Sequence, residues 1–302
     1  MPPDVVFIVS EHVRRPELQY ALRSWDLVPH GAVWFIGGRP GWVRNVNHIP
    51  FPDHENKWKN ISDKARSLAS LDGPAEEFYY TEDDYFILKP VDRIPDYIRD
   101  KSLNDYVGQQ EKKRKRGLRG GWWGYMQNTR DVLHENGISE PASFDVHIPM
   151  LWRKSEMPVH WETPGPVSWR SLIGNTRTSE RVLIEDIKVS ASRNMERIDI
   201  GFASSSDGTF RKILEPTMAG LFPDPCRYEQ EYYMDAPYDQ EPRRLDAKKQ
   251  RIVARRVRRN KPDQIVYEDG TREDVSDMCD CGFVAKSAGG LTTHQRSHTK
   301  EE

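Results

Sequence analysis

Apolar and polar positions alternate in character along the first hundred residues in a way that predicts strands and helices in turn. Residues 4–10 (DVVFIVS) are a short apolar, β-branched run and read as a buried strand. Pro16 opens a helix whose Leu18, Ala21, Leu22 and Trp25 fall on one face. Residues 32–38 (AVWFIGG) read as a second strand ended by glycines, and 56–71 as a second helix. Residues 77–82 (EFYYTE) form an aromatic strand running into Asp83 and Asp84, with a short strand at 86–91. Strand, helix, strand, helix, strand at this spacing predicts an α/β fold, with a mixed, mostly parallel sheet and covering helices.

Beyond residue 100 the periodicity weakens. The spacing predicts a helix near 129–136 ended by Gly137, a strand over 143–152 broken by Pro149, and a capped helix within 204–214. Trp122 and Trp123 fall in what reads as a Gly-rich loop. The Pro-, Tyr- and acid-rich stretch 222–242 closes the large domain, taken as 1–242. Residues 243–261 carry ten Lys and Arg against one Asp and too few apolar residues for a core face, so 243–277 reads as a charged linker or solvated helix.

Composition narrows the function classes. With 45 Lys and Arg against 47 Asp and Glu, the chain is neither a basic nucleic-acid coat nor an acidic tail protein. No apolar run reaches the ~18 residues of a membrane span, and no secretory signal is expected, which points to a cytoplasmic protein. Three cysteines, two of them almost adjacent, exclude a disulfide framework. Cys226, between Pro225 and Arg227, reads as inert.

Cys279, Cys281, His294 and His298 offer two thiolates and two imidazoles to a tetrahedral zinc ion, with the histidines one helical turn apart and Leu291 at a core position. The set resembles a two-Cys two-His zinc finger over 278–302, with a tighter Cys pair than usual. The finger and the basic segment together could give weak nucleic-acid or protein docking through 243–302. A binding or adaptor protein built on that tail is the reading outside enzymology.

Three consecutive acids at a strand end are costly unless solvent or a cation meets them. A carboxylate pair there can hold a hard divalent cation, which in turn neutralises a substrate diphosphate. A solvated turn is the bland alternative. Asp145 lies two residues before His147, on the same face if the segment is a strand, and could orient it as a base. Asn60 and Lys64, four apart on the second helix, and Arg23 on the first could meet a donor's phosphates or sugar. Ser10 at the end of the first strand joins these donor-side candidates. Trp122 and Trp123 could stack on an acceptor sugar, with His160, Trp161, Glu162 and Ser168-Trp169-Arg170 adding to the same cleft. Glu185 and Asp186 form a second acidic strand end and a second-choice metal site.

The block Glu17-Leu18, Tyr20, Leu22-Arg23-Ser24, then Pro40 and Trp42, the stretch EFYYTEDDYFILKPV at 77–91, and FDVHIPM at 144–150 occur in the order of the motif blocks of the Stealth sugar-phosphate transferases, which this chain resembles over roughly its first 150 residues. That family includes bacterial capsule polymerases and an enzyme that phosphorylates lysosomal glycans. The resemblance implies a glycosyltransferase-A-like core, a nucleotide-sugar donor, Mn or Mg with its diphosphate at Asp84 and Asp83, and His147 near the reacting phosphate or acceptor. The chain departs from the family at Ser10-Glu11-His12 and at Asn60-Ile61-Ser62-Asp63, both on the donor side. The chain also resembles glycosyltransferases encoded by some bacteriophages, which would act in the host cytoplasm. Glycosyl transfer to a protein or glycan hydroxyl is therefore the favoured expectation, and transfer of hexose 1-phosphate the alternative.

Overall fold

Strict alternation of burial faces along Asp4–Val9 (β1) fixes the middle of the main sheet. Val5, Phe7 and Val9 enter one core and Val6 and Ile8 the other, as successive side chains of a strand must. In the computed structural model the described residues are 1–11, 13, 15–113, 121–189, 200–205 and 209–230, with the backbone of 252–256, 264–267 and 272–274. The chain divides into two units, Met1–Ala236 and Pro237–Glu302.

In the first unit the sheet order is β3-β2-β1-β4-β7. Val33–Gly37 (β2), Asn47–Ile49 (β3) and Glu77–Glu82 (β4) run parallel to β1, and Met150–Arg153 (β7) is antiparallel at the edge. Arg15–Ser24 (α1) covers one face through Leu18, Ala21 and Leu22. Lys57–Ser67 (α2), capped by the Asn56 side chain, shares the other face with two later helices, Gly121–Glu135 (α4) and Trp169–Thr176 (α5). The buried side chains on β1 contribute roughly 1.5–3 kcal/mol each by leaving water.

The direction of these pairings decides what meets at one end of the sheet. Parallel β1 and β4 finish together, Ile8 lying opposite Glu82. Because β7 is antiparallel, the segment entering it, 144–149, arrives at that same end. A second sheet, β5-β10-β9, joins Tyr85–Ile87 (β5), Phe202–Ser205 (β10) and Lys188–Val189 (β9), and sets Ser204 beside both Tyr85 and Lys188. A third pairs Asp96–Arg99 (β6) in parallel with Arg181–Ile184 (β8), so that Arg99 lies opposite Ile184.

Several local expectations change. Residues 143–149 are not strand; pairing starts only at Met150, where the phi-locked Pro149 has been passed. The Trp-rich stretch is the first turn of α4, which begins at Gly121 and not near 129, so Trp122 and Trp123 sit on a helix. Leu103–Lys113 (α3) was not foreseen. A short helix, Glu215–Leu221 (α6), follows a wider turn over Phe210–Leu214. In the second unit, Ile252–Arg256 (β11), Gln264–Tyr267 (β12) and Arg272–Asp274 (β13) form an antiparallel sheet within the span read as linker or helix. The β-branched and aromatic residues of IVARR and QIVY suit strands once neighbours pair with them. The four proposed zinc ligands, Cys279, Cys281, His294 and His298, lie outside the described residues.

Candidate functional site

A cavity of about 630 Å³ opens at the end of the sheet where β1 and β4 finish. Ser10, Asn60, Asp83, Asp84, Trp122, Asp145 and His147 all line it, so most of the sequence-derived candidates converge. Carboxylates dominate its lining among the described residues: Glu17, Asp53, Glu55, Glu82 and Asp186 join the three already named, against Lys57, Arg170 and Lys188. An anionic ligand entering such a cavity needs added positive charge.

The acid pair faces this cavity. Burial, followed by the negative charges of Asp84, Glu17 and Glu82, pushes the Asp83 carboxyl well above the usual carboxylate range. Asp84 accepts from Lys188 Nζ and from Ser204 Oγ, each at 3.3 Å, on the same oxygen. Burial alone would lower the Lys188 ammonium's affinity for its proton, but Asp84 and Glu82 outweigh it and the group is held more firmly charged than usual. Among the described residues no three His, Cys, Asp or Glu side chains converge closely enough to hold an ion by themselves. The pair nevertheless fits a hard divalent cation shared with a ligand's oxygens. Its donors are carboxylates, and the charge crowded around Asp83 is what such an ion offsets.

Opposite lies a histidine with its own acid. His147 has φ 56°, a left-handed backbone that costs a non-glycine residue roughly 1–3 kcal/mol. Its Nδ1 is 2.8 Å from Asp186 Oδ1, not near Asp145. Asp145 instead accepts from Ser168 Oγ and Ser171 Oγ and fastens its loop to the start of α5. The expected Asp145–His147 partnership fails because the segment is not extended, so positions two apart do not share a face. Arg170 is buried behind the loop, donates from Nε to Phe144 O and from Nη2 to Ile148 O, and so pins both sides of His147. Its guanidinium also lies over the rings of Tyr85 and Tyr80. Trp122 lies face to face with the imidazole at 6.4 Å, and Tyr85 meets it edge-on at 5.9 Å. Trp122, Trp58 and Tyr125 form a continuous aromatic wall. Trp123 packs on Tyr106 and is not part of the lining, which corrects its assignment to acceptor stacking.

The donor-side candidates divide. Ser10 Oγ, Glu11 N, Asn60 Nδ2 and Lys64 Nζ all donate to the Asp53 carboxylate. Burial would raise the Asp53 pKa, but these bonds, Lys64's foremost, bring it below the ordinary value. Lys64 is fully buried, also donates to Val9 O, and does not line this cavity, so it braces the end of β1 and is not a phosphate contact. Gly37, at φ 114°, leaves room for it, since a β-carbon there would meet Val9 O at 2.1 Å and Lys64 Nζ at 2.6 Å. Arg23 is likewise withdrawn: it makes a buried two-pronged pair with Glu229, Nε at 2.6 Å and Nη2 at 2.8 Å, and also donates to Phe222 O. That pair ties the end of the first unit to α1.

Asp186 as a histidine partner and Lys188 were not legible as site residues because sheet pairing brings them in from far along the chain, and Asp53 and Trp58, close to Asn60 in sequence, carry no motif that marks them. His160, Trp161, Glu162 and Trp169 do not line the cavity, and Glu185 does not either. Burial pushes the Cys226 thiol up to about 12, in keeping with an inert group.

No family model matches the chain, and no curated protein does. Among solved structures, crystal structures of the galactosyltransferase LgtC, one an active-site mutant and one in complex with donor and acceptor sugar analogues, overlap with 76% of this chain and 98% of theirs. Their identities are 12% and 10% and their TM-scores 0.40 and 0.41. The bifunctional IspDF from Campylobacter jejuni overlaps with 66% of this chain and 55% of its own at 8% identity and a TM-score of 0.30. No helix among the described residues is long and apolar enough to cross a membrane.

Proposed function

We propose that the chain is a metal-dependent glycosyltransferase with a glycosyltransferase-A-like core, which moves a sugar from a nucleotide-sugar donor to an acceptor hydroxyl. The observation that carries this reading is the convergence, in one cavity at the carboxyl ends of parallel strands, of the Asp83–Asp84 pair, a histidine with its own carboxylate, and an aromatic wall. Asp83 and Asp84 would hold Mn or Mg, which when bound offsets the charge of the leaving diphosphate. Lys188 adds a fixed positive charge beside them. Ser10 and Asn60, oriented by Asp53, border the donor side. Trp58, Trp122 and Tyr125 offer flat apolar faces to a sugar ring. His147 takes the proton of the attacking hydroxyl, the new bond forms at the anomeric carbon, and the nucleoside diphosphate leaves with the electron pair.

The same cavity serves attack at phosphorus, with hexose 1-phosphate as the group transferred. That second reading is favoured by one observation: the two motif blocks that resemble the Stealth family, at Asp83–Asp84 and at His147, line the same cavity.

The test is a screen of nucleotide sugars with Mn or Mg, run beside Asp84→Ala. The expected result is cation-dependent consumption of one donor, reduced at least about a hundredfold in the variant. Product mass then separates added hexose from added hexose phosphate. Consumption of no donor, or equal consumption by Asp84→Ala, overturns the reading.

A further inference from the structure

The proton on His147 is placed by residues that lie far from it in the chain. Parallel pairing of β6 with β8 puts Arg99 opposite Ile184, so the acid two residues later falls within its reach. Arg99 Nη2 donates to Asp186 Oδ2 at 3.1 Å and to Asp145 O at 2.7 Å. Asp186 Oδ1 accepts from the Lys188 backbone N–H at 3.1 Å and from His147 Nδ1 at 2.8 Å. Both oxygens therefore face donors. Burial opposes the ionised form, but His147 and Arg99 outweigh it and hold the Asp186 carboxyl well below its usual range. An ionised carboxylate only accepts, so the proton of a neutral imidazole must reside on Nδ1. The remaining nitrogen, Nε2, is then the basic one. Trp122 and Tyr85 flank the ring, their centres 6.4 Å and 5.9 Å from its own. The left-handed backbone at His147 is the strain that this placement costs.

Resting on the transferase reading, we infer that Asp186, backed by Arg99, is the positioning residue that makes His147 Nε2 the proton acceptor for the incoming hydroxyl. The O–H proton passes to Nε2 as the oxygen bonds the anomeric carbon. The bond from that carbon to the diphosphate oxygen breaks, and its electrons leave with the diphosphate. The imidazolium so formed faces the Asp186 carboxylate. The other charged or titratable groups around the pair include Arg99 on β6, Tyr106 on α3, Arg170 on α5, Lys188 on β9, Asp145 on the loop before β7, and Tyr85 on β5.

Asp186→Asn gives a decisive test, because Arg99 has only donors to offer. The charged Arg99 guanidinium draws the Asn oxygen, so the amide NH2 faces His147 Nδ1 and the ring proton moves onto Nε2, while the Lys188 backbone N–H loses its acceptor. Full-length protein labelled with nitrogen-15 histidine is examined by long-range proton–nitrogen correlation, about two pH units above the ordinary histidine value. His147→Gln identifies the signals. The expected result is protonated Nδ1 and bare Nε2 in the wild type, the reverse in Asp186→Asn, and the wild-type pattern again in Asp186→Glu. In the transfer assay kcat falls about a hundredfold in Asp186→Asn with donor KM within about twofold, and Asp186→Glu recovers much of it. Thermal melting checks that each variant is folded. The same tautomer in wild type and a folded Asp186→Asn, or an unchanged kcat, overturns the inference. A wild-type enzyme that consumes no nucleotide sugar overturns the transferase reading and the base role with it, while the nitrogen spectra still decide whether Asp186 places the proton.

Discussion

Lys188 and Asp84, 104 residues apart, form an ion pair across the edge of the cavity, with Nζ 3.3 Å from Oδ2 and both groups partly open to solvent. Lys188 follows Asp186 by two residues, and its backbone N–H donates to that acid. One short segment thus touches both halves of the site: the ammonium reaches the acid pair, and the carboxylate reaches His147. The lysine is a built-in competitor for any cation that Asp84 helps to hold.

Replacing Lys188 by Met should therefore tighten divalent-cation binding while slowing turnover. Removal of one positive charge within 4 Å of a partly exposed carboxylate favours cation binding by on the order of 1 kcal/mol, about a fivefold lower Kd for Mn. Titration of Mn by its electron spin resonance measures this. Weaker Mn binding in Lys188→Met would show that the lysine organises the acid pair and does not compete at it.

Asp83 should weaken the fold that contains it. Its folded pKa lies above the unfolded one, so its favourable contribution is complete below the ordinary carboxylate range and is lost as pH rises through the raised value. At neutral pH, Asp83→Asn is expected to raise the melting temperature by about 2 °C, corresponding to on the order of 1 kcal/mol. The gain should vanish in acid, where both proteins are uncharged at that position, and Mn should stabilise the wild type more than the variant. A calorimetric melt at neutral and acidic pH, with and without Mn, reads all three.

Asp53 and Asp186 have the opposite sign. Their folded pKa values are depressed, so the stability they add is present above the ordinary carboxylate range and is lost as pH falls through the lowered values. Asp53→Asn leaves Lys64 buried beside an uncharged partner and should cost about 3 kcal/mol in chemical denaturation. Adding Lys64→Met should recover part of that loss, since it removes the orphaned charge. A double variant no more stable than Asp53→Asn alone would place the cost in the bonds from Ser10 and Glu11.

Cys226 should resist alkylation in the native protein. With its thiol pushed up to about 12 and its side chain buried beside Glu229, almost none is thiolate at neutral pH. Peptide mapping after brief iodoacetamide treatment should find Cys226 unmodified until denaturant is added. Rapid native labelling there would contradict its placement against Arg23 and Glu229.

The sequence by itself determined β1, α1, β2, α2 and β4, because each carries its own periodicity: the faces of β1 follow directly from DVVFIV, and those of α1 from Leu18, Ala21 and Leu22, whereas β3 and β6, three and four residues long, are too short to show one. It also marked Asp83, Asp84, Ser10, Asn60, Trp122 and His147, since acids at a strand end are conspicuous locally and the blocks at Asp83–Asp84 and His147 resemble those of a known family. What only the tertiary structure decided is who meets whom. Lys64 and Arg23 look like free cations in the chain, yet each is consumed by a carboxylate from another element, Asp53 and Glu229. Asp145 looks like the partner of His147 at a spacing of two, yet Asp186, brought in by the pairing of β6 with β8, takes that place. Charges act through space over a few ångströms, and sheet order, which no local pattern encodes, sets those distances.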